Sequence, residues 1–149
     1  MSKAIKPTAE HRALGVLAGK WITQGTIRAS SKAAASEMRV IDRYEWLPGE
    51  FFMLHKVDAL IGGKASRSIE VIGFDAEQGC YVSRSYDDQG GSDEFTAYLK
   101  NRAWAIDGSK VRFRGAFDAS GTVLAGIWEQ RSDGNQWKPW MDIELRKVT

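Results

Sequence analysis

A single cysteine, Cys80, is all the thiol chemistry in this chain of 149 residues. No disulfide within the chain can form, so a disulfide framework is excluded and a reducing, cytoplasmic setting is expected. Histidine is almost as scarce: His11 and His55 are the only two, and with one cysteine they give no zinc-ligand spacing. Charge of one sign is lacking too, with 21 Lys and Arg against 19 Asp and Glu, interspersed along the chain. There is no basic run to neutralise a phosphate backbone, so nucleic acid is not an expected partner. No window approaches the ~18 apolar residues of a membrane span. The opening Met-Ser-Lys-Ala-Ile-Lys-Pro lacks the continuous apolar core of a signal peptide, because Glu10, His11 and Arg12 break the apolar stretch next to it. A membrane is therefore not expected as a partner either. No Gly-rich phosphate loop or nucleophile elbow is present, and Ser83 and Ser85 have no context marking a nucleophile. The acids Asp87, Asp88, Asp93 and Glu94 around Gly90-Gly91 lack the calcium-loop pattern.

What is present is regular alternation. With 43% apolar and 27% charged residues, residues 1–149 read as one soluble domain able to bury a core without metals or disulfides. Only one stretch reads as a helix: Thr8 caps it, Leu14, Leu17 and Ala18 fall near one face, and Gly19 ends it. After Gly19 the pattern has period two. Strands are predicted over 20–28, 38–47, 51–59, 66–74, 80–87, 93–100, 103–106, 110–117, 123–131 and 137–148. Pro48-Gly49, Gly62-Gly63, Gly90-Gly91 and above all Asp107-Gly108 mark turns between them. A flat sheet of so many hairpin-linked strands would keep two bare edges. The expected fold is therefore all-β, a single up-and-down antiparallel barrel of about ten strands with one short N-terminal helix. Such a barrel is wider than its own side chains always fill, which leaves room for a cavity.

Alternation also proposes which side chains face in. Trp21, Thr23, Gly25 and Ile27 of the first strand, and Val111, Phe113, Gly115 and Phe117 of the eighth, oppose polar neighbours. The second strand points Val40, Asp42, Tyr44 and Trp46 inward, and the third Phe51, Met53, His55 and Val57. The fourth and fifth mix polar and apolar residues on both faces, as a wall with polar ligand contacts would, or a bulged strand.

Gly19-Lys20-Trp21 after a helix resembles the Gly-X-Trp opening of lipocalin-like (calycin) barrels, in which the tryptophan plugs the closed end. The longer pattern Glu10-His11-X-X-Leu14-X-X-Leu17-X-Gly19-X-Trp21 resembles the opening of an uncharacterised family of bacterial lipocalin-like barrels. Gly73-Phe74-Asp75, the strand Tyr81-Val82-Ser83, and residues 129–146 with Ser132-Asp133-Gly134 and Trp137-X-Pro139 are similar to further segments of that family. The resemblance implies the barrel and no particular reaction, since fold does not fix function. Related barrels of the nitrobindin type hold haem through a histidine in a late strand. Here residues 123–148 contain none, so no cofactor is expected.

His55 stands on a face otherwise made of Phe51, Met53 and Val57. Inside a barrel it would serve as general base or ligand contact near neutral pH; the plainer reading is a hydrogen-bonded histidine at the rim. Asp42, Glu70, Arg84 and Tyr86 are the other polar candidates. Arg84 paired with a carboxylate would anchor an acidic or carbonyl-bearing ligand, whereas an outward Glu70 and Arg84 would be a cross-strand surface pair. The tryptophans Trp21, Trp46, Trp104, Trp128, Trp137 and Trp140 suit core packing and equally a wall for a planar guest. Trp137 and Trp140 differ in parity, so both face inward only if the strand is bulged. His11 is expected to be exposed or packed against the barrel mouth.

The expected ligand contacts are thus Trp21, Asp42, Tyr44, Trp46, Met53, His55, Glu70, Arg84, Tyr86, Phe113 and Trp128, around a small hydrophobic or aromatic molecule, with no metal. The alternative is a small isomerase, cyclase or hydrolase using His55 with Asp42 or Glu70, which requires them within hydrogen-bond reach. A third reading is an interaction module marked by an exposed apolar patch. Dimerisation through the outer face is compatible with all three.

Overall fold

The structure, a computed structural model, describes residues 5–132 and 134–148. Residues 1–4 of the opening segment and Asp133 of the Ser-Asp-Gly turn lie outside the described residues. Thr8 caps α1 (Ala9–Ala13), as its position predicts. Its hydroxyl accepts from the His11 backbone N–H at 3.5 Å, and His11 Nδ1 accepts from the Thr8 backbone N–H at 3.0 Å. This reciprocal cap satisfies two otherwise orphaned donors. The His11 ring stands edge-on to Phe51 and Phe74, which fixes the helix against the barrel. The chain continues as a 3-10 turn over Leu14–Leu17. Gly19, at φ +125°, then swings it into the first strand through a backbone conformation that a side chain would oppose.

The strands are β1 (Gly19–Ile27), β2 (Ser36–Trp46), β3 (Phe52–Ile61), β4 (Lys64–Asp75), β5 (Cys80–Asp87), β6 (Ser92–Lys100), β7 (Ala103–Asp107), β8 (Val111–Phe117), β9 (Val123–Gln130) and β10 (Lys138–Lys147). Each pairs antiparallel with the next, and β10 pairs with β1 from Trp21 opposite Lys147 to Ile27 opposite Met141. The barrel is closed and has no free edge, which answers the edge problem that so many consecutive hairpins create. Proline decides one irregularity. Pro139 has no N–H for the ladder, and the β9–β10 register shifts between Pro139 and Met141, around Trp140. Trp137 precedes the strand, and its ring lies between the guanidiniums of Arg112 and Arg131, 4.5 and 4.4 Å from its centroid.

The two ends of the barrel are filled differently. At one end Leu14 and Leu17, each 1% exposed, plug the opening and pack on Trp21, Met53, Ile72 and Phe117. Burying each leucine contributes ~1.5–3 kcal/mol. Trp21 Nε1 donates to the Leu17 carbonyl at 2.7 Å, and the Tyr81 hydroxyl donates to the Glu10 carbonyl at 2.5 Å. The other end holds only a small cluster, Met38, Val40, Ala59 and Met141. One further device shapes the wall. Gly115 and Gly126 face each other across β8 and β9, and a Cβ on either would meet the tip of the Phe113 ring at 2.5 or 2.6 Å. The missing side chains let that ring lie against the wall. No helix among the described residues is long and apolar enough to cross a membrane.

Candidate functional site

Antiparallel register brings the polar candidates together. His55 of β3 pairs with Tyr44 of β2 on one side and with Glu70 of β4 on the other; Asp42 pairs with Val57, one inward step from His55. All four side chains point into the barrel. The 2.6 Å contact from His55 Nε2 reaches Asp42 Oδ1, and the 2.9 Å contact from Nδ1 reaches Glu70 Oε1. Thr23 of β1 donates its hydroxyl to Asp42 Oδ2 at 2.5 Å. The Tyr44 ring stacks on the imidazole, with centroids 3.9 Å apart and planes within 11°.

The electrostatics follow from that arrangement. Burial by itself pushes the His55 imidazole down. Hydrogen bonds to Asp42 and Glu70, with the charges of both carboxylates, overrule it and raise the pKa from 6.5 to about 9. Both ring nitrogens therefore carry protons at neutral pH and donate to the carboxylates. Burial, then the negative charges of Asp42 and Glu70, push the Tyr44 hydroxyl well above its ordinary value, so it stays protonated. The three charged groups face one another, and no group of side chains among the described residues is arranged to hold a metal ion. A haem iron fits the two histidines poorly: His11 caps the helix, and both nitrogens of His55 are engaged.

These groups border a cavity of about 320 Å³. Of the sequence-predicted contacts, Asp42, Tyr44, His55, Glu70, Phe113 and Trp128 line it. Five others do not. Trp21 and Met53 face inward but lie in the solid plug beneath the cavity, fully enclosed among Leu14, Leu17 and their neighbours. Trp46 sits at the same end, where a Cβ on Gly15 would be 3.6 Å from its ring; it supports the helix. Arg84 and Tyr86 are on the outer face of β5. Arg84 pairs with Glu94 at 3.3 Å, and Tyr86, half exposed, stands opposite the half-exposed Ile69. Strand parity explains both: Ser83 and Ser85 occupy the inward positions of β5, so Arg84 and Tyr86 must point out. An anchor made of Arg84 and a cavity carboxylate is therefore ruled out by geometry, as is an outward Glu70.

The sequence reading missed Thr23 as the partner of Asp42, and the cavity hydroxyls of Ser66, Ser68 and Ser85. Ser66 and Ser68 share the parity of Glu70, which is the available signal. Among the tryptophans only Trp104 and Trp128 reach the cavity. The lining is divided by strand. Every polar lining residue (Thr23, Asp42, Tyr44, His55, Ser66, Ser68, Glu70, Ser85) belongs to β1–β5. Strands β6–β10 contribute only apolar or aromatic walls, including Phe95, Ile106, Phe113, Trp128 and Met141.

The arrangement can hold a small molecule between an aromatic wall and a hydrogen-bonding one. The crystal structure of Rv2717c from M. tuberculosis is similar in fold, with a TM-score of 0.69 and 13% identity over 95% of this chain and 99% of that one. At that identity the likeness concerns the fold alone. No curated protein sequence matches this chain significantly. A family model described as "Protein of unknown function (DUF1579)" matches residues 6–98, a span from the helix cap into β6 that includes every polar residue of the cavity. That match covers well over half of the chain, which is thus a member of the DUF1579 family, a family of unknown function.

Proposed function

We propose that this protein binds a small, largely apolar, ring-bearing molecule in the barrel cavity, with the molecule's polar end set on the Asp42–His55–Glu70 array. The supporting observation is the division of the lining into an aromatic side and a polar side around one cavity. A volume of about 320 Å³ lies near the lower end of the ~300–1,000 Å³ typical of ligand pockets. It suits a compact guest and leaves little room for a long acyl chain. The lone free thiol, Cys80, is buried, in keeping with a reducing cytoplasm as the proposed setting.

The test is native mass spectrometry of freshly purified protein against the same sample denatured, with intrinsic tryptophan fluorescence followed as small aromatic probes are added. A bound mass lost on denaturation, or a saturable fluorescence change, is the expected result. Neither one, across a probe set of varied polarity, would sink the binding reading.

A second reading, a small isomerase, cyclase or hydrolase, draws on the contacts of 2.6 and 2.9 Å that bring His55 to two carboxylates. In that reading the proton acceptor is Glu70 rather than His55, because both imidazole nitrogens already donate. Turnover of a bound compound that Glu70→Gln abolishes without weakening binding would favour it.

A further inference from the structure

The cavity has a sign, and the sign indicates a class of ligand. Among its lining residues are two carboxylates, Asp42 and Glu70, and one histidine, with no lysine or arginine. With the imidazole protonated the sum is −1, and with it neutral the sum is −2, so the lining is negative in either state. Nor are the acids equally engaged. Both oxygens of Asp42 are taken, one by His55 and one by Thr23. Glu70 uses Oε1 on His55, while its Oε2 has no hydrogen-bond partner among the described residues and is not fully buried. It borders the cavity beside Ser68 and opposite Ser85. One inward step along β5, Ser83 is only 3% exposed, and its Oγ has no partner among the described residues. Ser83 does not border the cavity, but the β4–β5 wall that does presents one unpaired carboxylate oxygen and the hydroxyls of Ser66, Ser68 and Ser85, each able to accept or to donate.

We propose that the cavity is selective for small arylalkyl amines, with the protonated nitrogen donating to Glu70 Oε2 and the ring resting on the Phe113–Trp128 wall. The inference rests on the ligand-binding reading above and gives it a charge. A carboxylate-bearing guest would lose its hydration to enter a cavity with no cation free to receive it, since the His55 protons already point at Asp42 and Glu70. An ammonium guest exchanges its hydration for a charge-assisted hydrogen bond. It also faces aromatic rings that favour a cation.

The experiment uses the full chain and three probes of one shape: 1-naphthylmethylamine, 1-naphthylmethanol and 1-naphthoic acid, titrated at pH 7 by calorimetry. The ¹H–¹⁵N resonances of the His55 ring are followed by NMR to place each probe. The amine is expected to bind ~10–100-fold more tightly than the acid, the range of one charge-assisted hydrogen bond. The alcohol should fall between them, and the His55 resonances should shift. In Glu70→Gln the amine's advantage over the alcohol should collapse, because the amine loses more affinity than the alcohol does. The three-probe ranking on the unaltered protein stands even if that variant does not fold. Acid binding equal to or tighter than amine binding, with His55 shifts, would overturn the charge inference and leave the binding reading intact. If no probe binds, or probes bind without touching the His55 resonances, the binding reading fails with it.

Discussion

Strands β1–β5 and β6–β10 enclose the same cavity, yet they line it differently: all of its polar residues come from the first five strands. The second half follows the ordinary rule: β8 turns Phe113 and Phe117 inward and Arg112 and Arg114 away, and its glycine pair with β9 makes room for the Phe113 ring. In the first half the rule is inverted on β4. There Ser66, Ser68 and Glu70 face the cavity, while Ile69 and Val71 face outward. The two halves have different tasks. The apolar half supplies non-directional burial that holds the fold. The polar half positions charges that are tolerable in a barrel because each meets a partner: Asp42 is met by the Thr23 hydroxyl and by His55, and Glu70 by His55. Selectivity, on this view, is a property of β1–β5.

That contrast can be broken experimentally. The largest effect is expected on the apolar side, where Phe113→Ala should cost about 4 kcal/mol in denaturant unfolding, the usual range for an aromatic core truncation. It should enlarge the cavity and leave the preference for amine over acid in place. A stability loss below ~1 kcal/mol would mean that the apolar half does not carry the fold.

His55→Leu comes next, with a loss of about 3 kcal/mol at pH 7, because it strands Asp42 and Glu70 as buried carboxylates without a cation. The wild-type protein carries the matching pH signature. The folded-state pKa of His55, about 9, lies above its ordinary 6.5, so the stabilisation is complete below pH ~6.5 and fades as pH rises through 9. Asp42, Tyr44 and Glu70 are the titratable groups facing it, and Tyr44 stays protonated across this window. Unfolding free energy measured from pH 6.5 to 9.5 should fall in the wild type and stay nearly level in His55→Leu. Parallel profiles would remove the ion array from the account.

The smallest effect is expected at Arg84, whose exposed pair with Glu94 is worth ~0–1 kcal/mol. Arg84→Ala should leave both stability and probe ranking nearly unchanged. A lost ranking would show that the outer face of β5 communicates with the cavity.

Several features are written in the local sequence. Thr8 capping, the swing at Gly19, the turn at Asp107-Gly108 and the alternation of β1, β2, β3 and β8 each depend on residues a few positions apart, so local chemistry specifies them. The inward facing of Asp42, Tyr44 and His55 is legible for the same reason. The faces of β4 and β5 are not, because alternation identifies the apolar face and takes it to be the inner one. A cavity with a polar wall violates that premise, so Arg84 and Tyr86 read as inward when parity with Ser83 and Ser85 turns them out.

What the sequence by itself determined is a string of strands that must close and a short capped helix ahead of them. What only the tertiary structure decided is which residues meet. His55 lies 15 residues from Glu70 and 13 from Asp42, and register, not composition, places both carboxylates on its two nitrogens. The same register puts Met53 and Trp21 in the plug rather than the cavity. Pairing across strands is a long-range choice made by the closed ladder as a whole, and no local stretch of chain contains it.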